Sequence, residues 1–238
     1  MNTDYINNWH RIWSNRVLQE TSENNVLQQL ISIDGFDSPL GLMSEGDWKE
    51  YVTLFATRSG IVNGDSIFEV GCGAGAFLYP FYKTGFKIGG IDYSRDLIQI
   101  AQTVMPEKKS VLNENEACFC PIDPKVDVVI ANHVIHYFPS IEYSNTVLEL
   151  MLQKSRRVVS ISAIPDLNLK DESENERRGL LSSEEYEQKY KGLNILYYQR
   201  EWFEKLASKH GYSIHFYDHE MPGFAQNRFR FDCVMTRV

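Results

Sequence analysis

The chain has 238 residues and a formal net charge of −8. That length can carry one substantial α/β domain with a full core. The acidic balance excludes a broad nucleic-acid footprint, which needs clustered Lys and Arg; the basic runs Lys108-Lys109 and Lys154-Ser155-Arg156-Arg157 are short.

In chain order, residues 1–20 read as an amphipathic helix, because Tyr5, Trp9, Trp13 and Val17 recur every four residues along one stripe. The segment 34–39 is dense in turn residues and reads as a loop. Asp47 is the expected cap of a helix over 48–59. A turn at Asn63-Gly64-Asp65 feeds a first strand over 66–70. From there strands and helices alternate: a helix over 74–82, a strand over 86–91 ending at Asp92, and a helix over 96–104 capped by Ser94. A short strand over 110–112, a β-branched strand over 126–130, a helix over 140–153 and a strand over 158–164 follow. This alternation implies a mostly parallel sheet with right-handed crossovers.

After Pro165 the pattern changes. The charged run 171–178 reads as a mobile loop, and 182–190 as a helix. An amphipathic helix over 201–210 is closed by Gly211. Two final strands, 212–219 and 229–237, are expected to pair as an antiparallel hairpin. Cys72, Cys118, Cys120 and Cys233 fit neither a disulfide framework nor a C-x-x-C zinc pair, so reduced packing residues and no metal are expected, with structural zinc as the alternative. The amino terminus shows no apolar secretory segment, and no stretch approaches the ~18 apolar residues of a membrane span. The expectation is a cytoplasmic protein without nucleic-acid or membrane partners; oligomeric state is left open.

The most informative stretch is Glu69-Val70-Gly71-Cys72-Gly73-Ala74-Gly75. It places an acid near the end of a buried strand, then a glycine-rich turn into a helix. Glycine allows the sharp turn and a close approach of backbone to ligand, at the sheet edge where open α/β folds bind nucleotide-like groups. Gly71, Gly73 and Ala76 also satisfy the looser dinucleotide pattern; the preceding acid and the tight glycine run discriminate. This run resembles the first motif of the class I S-adenosylmethionine-dependent methyltransferases, and the resemblance extends over Trp48 to Val238, with specific motifs between residues 67 and 137.

The resemblance implies a Rossmann-like, mostly parallel seven-stranded sheet with helices on both faces and a carboxyl-terminal antiparallel hairpin. It implies a single domain over 1–238, with a helical lid over 1–45 and an insert over 165–197 near the acceptor. Gly71, Cys72, Gly73 and Gly75 would approach the methionine portion and ribose of S-adenosylmethionine, and Glu69 would hydrogen-bond backbone or water around its ammonium end, with a helix or loop cap as the alternative. Asp92 would accept hydrogen bonds from the ribose hydroxyls, as an acid at similar spacing does in dinucleotide enzymes. Tyr93 would pack on the adenine, and Glu116-Ala117 would meet its amino group. Asn132 falls where a backbone carbonyl meets the ammonium. His133 and His136 are the candidate proton carriers beside the reaction centre.

Tyr5, Trp9 and Trp13 could form a lid, with packing against the sheet as the alternative. Tyr186, Tyr190, Tyr197 and Tyr198 are the insert's aromatic candidates. Arg228 and Arg230 read chiefly as exposed strand charges, with contact to an anionic acceptor as the alternative. The expected activity is methyl transfer to a small molecule, with oxygen favoured by the two histidines. N- or carboxyl-methylation of a small metabolite or peptide, and a non-catalytic methyltransferase-like binding protein, are alternatives. An NAD(P)-dependent oxidoreductase would need a Tyr-x-x-x-Lys spacing that Tyr186 and Lys189 do not supply.

Overall fold

Apolar runs of β-branched residues bury on both faces when helices cover a parallel sheet, and that is how this chain is built. The computed structural model describes residues 12–13, 16–18, 26–38, 41–179, 182, 184, 186 and 193–238. Helix α1 (Val26–Ile33) leads into two short paired strands, β1 (Asp37–Ser38) and β2 (Gly41–Leu42), and helix α2 (Glu45–Arg58). The alternating unit follows as β3 (Ser66–Val70), α3 (Leu78–Lys83), β4 (Lys87–Asp92), α4 (Arg95–Val104) and β5 (Leu112–Glu114). It continues through β6 (Val126–Asn132), α5 (Ile141–Lys154) and β7 (Ser155–Pro165). Helices α6 (Lys170–Gly179) and α7 (Arg200–Lys209) precede the closing strands β8 (Tyr212–Asp218) and β9 (Arg230–Arg237).

The seven-stranded sheet has the order β5-β4-β3-β6-β7-β9-β8. Its β3, β4, β5, β6 and β7 pairings are parallel, and β9 runs antiparallel to both β7 and β8. The two-residue period of a strand divides the core. On β6, Val128 and Ile130 join the cluster under α1 to α4, while Val129 and Ala131 join the cluster under α5 and α7. On β3 the same period puts Glu69 on the face of Ile67, opposite Phe68 and Val70.

Several boundaries differ from the sequence expectation for identifiable reasons. The cap of α2 is Ser44, whose hydroxyl accepts from the Asp47 amide at 3.2 Å; Asp47 returns the bond to the Ser44 amide at 3.2 Å as the acidic half of a capping box. The charged run 171–178 is helical, not a loop. Asp171 and Glu172 sit in the first turn and Arg177 and Arg178 in the last, which suits the helix dipole, and Ser173 and Arg177 are buried four residues apart. The third strand lies two residues late, because Val111 turns back to Lys108 and its carbonyl takes the Gly90 amide at 2.9 Å. The helix expected over 74–82 starts regular winding only at Leu78. Most of the helices expected over 1–20 and 182–190 lie outside the described residues, and with them Tyr5, Trp9 and Tyr190.

Loss of the α2 cap should be measurable alone. Ser44→Ala is expected to lower stability by about 1 kcal/mol, read from urea unfolding; an unchanged midpoint would contradict the capping box.

Candidate functional site

The chain winds outward from β3 to β5, then returns to place β6 on the other side of β3. Such a reversal opens a crevice beyond the carboxyl ends of the strands. A cavity of about 390 Å³ lies there, reached by Glu69 from β3, Asp92 from β4 and Asn132 from β6.

The loop after β3 forms its floor. Gly71 has φ +75°, and a Cβ there would collide with the Val134 side chain. Gly73 has φ +53°, and a Cβ there would meet the Asp34 carboxylate. Both positions therefore require glycine. The amides of Gly71 and Cys72 bond the Ile91 carbonyl at 2.8 and 3.0 Å. Trp48, fully buried, donates its indole N–H to the Ala76 carbonyl at 3.0 Å and pins the far end of the loop to α2.

Three carboxylates converge on this loop. Asp92 accepts from the Gly73 amide at 3.0 Å and the Ser94 amide at 2.8 Å. Asp34 accepts from the Ala74 amide at 2.7 Å and the Ala76 amide at 3.0 Å. Glu69 is 2% exposed, and its Oε2 has no partner among the described residues. Burial raises Glu69 well above the usual carboxylate range, and the charges of Asp34 and Asp92 raise it further. Burial also pushes Asp34 up to about 7, against the pull of its two amide bonds. An acidic, desolvated floor with an orphaned carboxylate oxygen suits a cationic ligand.

The rest of the wall joins residues from distant segments. Asn132 accepts the Tyr51 and Ser162 hydroxyls, each at 2.6 Å, so its side chain is held within the fold. Tyr93, Glu116 and Ala117, the residues expected near adenine, line the cavity, and Glu116 accepts the Tyr143 hydroxyl at 3.1 Å. His133 and His136 both line the cavity. His133 has φ +52°, uncommon for a residue with a side chain, and its buried Nε2 has no partner among the described residues. Burial drives both imidazoles well below the ordinary histidine range, so both are neutral near pH 7. Arg230 Nη1 lies 3.3 Å from His136 Nδ1. A guanidinium only donates, so Nδ1 accepts and the His136 proton sits on Nε2. The two histidines thus differ: His133 has a free ring nitrogen, while His136 presents an N–H.

Residues 68–160 match the family model described as a methyltransferase domain. That segment carries a methyltransferase domain. Its cofactor is S-adenosylmethionine, and its cavity suits that group: the orphaned Glu69 oxygen and the acidic floor complement the ligand's cationic end. The fold is similar to magnesium protoporphyrin IX methyltransferase from Synechocystis PCC 6803 with bound SAH, at 17% identity and TM-score 0.59 over 100% of this chain and 95% of that one. It is similar to Streptomyces venezuelae DesVI at 12% identity and TM-score 0.60, over 92% of this chain and 100% of that one. It is also similar to the methyltransferase domain of a bacterial Hen1, at 17% identity and TM-score 0.56, over 80% and 98% of the two chains. At these identities the likeness is one of fold. No curated protein is significantly similar in sequence.

Not every expected site residue reaches the cavity of the methyltransferase. Trp13 does, 5.8 Å from the Tyr137 ring, but Gly75 and Tyr186 are absent from its wall. Gly75 faces Met105 and Ala101 instead, and Tyr186 lies against Arg178. Tyr198 is a core residue whose hydroxyl donates to the Ile135 carbonyl at 2.8 Å. Arg228 is exposed as expected, whereas Arg230 lines the cavity, since the turn before β9 carries it inward. Asp34, Arg177 and Gln226 also line it and had no signal in local sequence pattern. Among the described residues no cluster of His, Cys, Asp or Glu is arranged to hold a metal ion, and no helix is long and apolar enough to cross a membrane.

The acidic floor carries a pH signature. Asp34 is raised in the folded protein from 3.8 to about 7, so the folded state binds more protons between those values, and Asp34 costs stability as pH rises through that window. The ammonium end of a bound ligand favours the ionised acids and expels those protons. Affinity for S-adenosylhomocysteine, the demethylated product, should therefore rise from about pH 5.5 to about pH 8. Calorimetry in buffers of different ionisation heat should record proton release, and Asp34→Asn should reduce both effects. A pH-independent affinity would contradict the acid cluster.

Proposed function

We propose that this methyltransferase acts on a small-molecule acceptor and transfers the methyl group to a hydroxyl oxygen, with His133 as general base. The carrying observation is His133 itself: a neutral imidazole with an unpartnered Nε2, lining the same cavity as the acidic floor. The volume of about 390 Å³ is that of a small-ligand cavity, and a buried site of this size suits a metabolite better than a macromolecular surface.

The cofactor, when bound, supplies an electrophilic methyl group on a sulfonium that carries its own leaving group. The chain's residues would hold it in parts. Gly71, Cys72 and Gly73 offer backbone close enough to touch the amino-acid portion, and Glu69 offers its free carboxylate oxygen to the ammonium. Asp92 would take the ribose hydroxyls while remaining tied to the Gly73 and Ser94 amides. Tyr93, Glu116 and Ala117 would enclose the adenine. Trp13 and the other amino-terminal cavity residues, Ile12 and Arg16, would cover the site and exclude water.

His133 would accept the acceptor hydroxyl's proton at Nε2. Its lowered proton affinity keeps it free to do so throughout the neutral range. Phe36 and Phe224, with ring centroids 5.1 and 5.3 Å from the imidazole, hold the ring edge-on and keep its surroundings dry. A hydroxyl needs such a base; a carboxylate acceptor would not.

Calorimetry should show binding of S-adenosylmethionine and none of NADH. With labelled cofactor and a panel of phenols and alcohols, His133→Gln is expected to reduce turnover by about 100-fold or more, with little change in S-adenosylhomocysteine affinity. Turnover in the parent protein should show no His133 titration near pH 7, because burial lowers its proton affinity well below the ordinary histidine range. Full activity in the glutamine variant would remove the base and leave a hydroxyl acceptor unsupported.

A further inference from the structure

The cavity is polarised. Its floor is acidic, but the wall formed by β9 and the turn before it presents only donors. Arg230 gives Nη1 to the Ala163 carbonyl at 2.9 Å and to His136 Nδ1 at 3.3 Å, and makes no ion pair with any described carboxylate. The groups that most favour its charge are the phenols Tyr137, Tyr197 and Tyr51. The guanidinium of Arg177, on the same cavity, adds a second positive charge; its Nη2 donates to the Tyr197 hydroxyl at 2.6 Å. Gln226 is 1% exposed: its Oε1 accepts the Ser173 hydroxyl at 2.8 Å, while its buried Nε2 has no partner among the described residues. His136 adds the Nε2–H fixed by Arg230. A half-buried guanidinium without a counter-ion among the described residues and a buried amide donor without a partner among them are both costly unless a ligand completes them.

We infer that the acceptor carries an anionic oxygen group, a carboxylate or a phosphate, and that Arg230 and Gln226 bind it, with His136 as a further donor. The inference rests on the methyltransferase reading and adds a charge to the acceptor. Arg230 and Gln226 are specificity residues here, distinct from the base: the anion is the handle by which the acceptor is held, and its hydroxyl faces His133. Planar donors at Arg230 match the two oxygens of a carboxylate or phosphate. Phe224, 5.2 Å from the Arg230 guanidinium, gives the handle an aromatic border.

The test uses the protein loaded with S-adenosylhomocysteine and three matched probes: 4-hydroxybenzoate, 4-hydroxyphenyl phosphate and the neutral 4-hydroxybenzamide. At least one acid is expected to bind about tenfold or more tightly than the amide, the gain typical of charge-assisted hydrogen bonds. Preference for the carboxylate or for the phosphate identifies which source of the anion fits. Arg230→Met should abolish the preference while S-adenosylhomocysteine affinity stays within about twofold. Gln226→Glu, nearly isosteric, should also abolish it by placing a carboxylate in the wall that would hold the anion; it gives the answer if the methionine variant does not fold. Equal binding of acid and amide, no binding of either acid, or a preference that survives in a folded Arg230 or Gln226 variant overturns the inference. A protein that fails to retain S-adenosylhomocysteine at all fails the cofactor reading instead.

Discussion

Glu69, Asp34 and Asp92 are gathered around one glycine loop with little positive charge to balance them. Isolated buried carboxylates are expensive, and the fold meets the cost unequally. Asp92 is satisfied by the Gly73 and Ser94 amides, Asp34 by the Ala74 and Ala76 amides, and Glu69 keeps an oxygen without a partner. The loop's own N–H groups are thus committed within the protein, half to carboxylates and half to backbone carbonyls. What the cavity offers a ligand is negative potential and close backbone. Glycine at 71 and 73 is a direct consequence, since a side chain at either would displace Val134 or Asp34.

Around that floor the site is held by a layer that never reaches the cavity. Asp232 on β9 accepts the Ala163 amide at 2.9 Å and lies 2.7 Å from His219 Nδ1. Ala163 has φ +57° and interrupts the register between β7 and β9. His219 packs 5.0 Å from the His133 ring. His133 itself sits in the left-handed region, a conformation that costs about 1–3 kcal/mol and persists where surrounding contacts over-determine it. Rings from Phe36, Tyr51, His219 and Phe224 supply those contacts from separate segments of the chain. Position and charge state of the proposed base are therefore products of packing.

The cavity's two ends also account for the different roles of two histidines only three residues apart. His136 adjoins Arg230, which sets its tautomer. His133 adjoins hydrophobic rings and another imidazole, which leave its Nε2 uncommitted. The sequence made both candidates and favoured His133; their electrostatic neighbours separate them.

What the sequence alone determined was local. The alternation of apolar runs with helical periods dictated a parallel sheet, because strand and helix periods are read over a few residues. The acid-glycine run located the ligand loop, because turns that need positive φ demand glycine where they occur. Gly211 marked a helix end for the same reason and Ser94 marked another by its side-chain cap on the Leu97 amide, while Ser44 escaped notice because Asp47 three residues on is an equally good cap. The charged run 171–178 misled because its composition suggests solvent, whereas its helical period buries Ser173 and Arg177 on one side. Only the tertiary structure decided which charges meet. Asp34 reaches the loop across 40 residues and Arg230 reaches His136 across 94. No periodicity spans such separations: the pairing follows from the order in which the strands assemble, and from a turn before β9 that brings inward an arginine whose position in sequence suggests solvent.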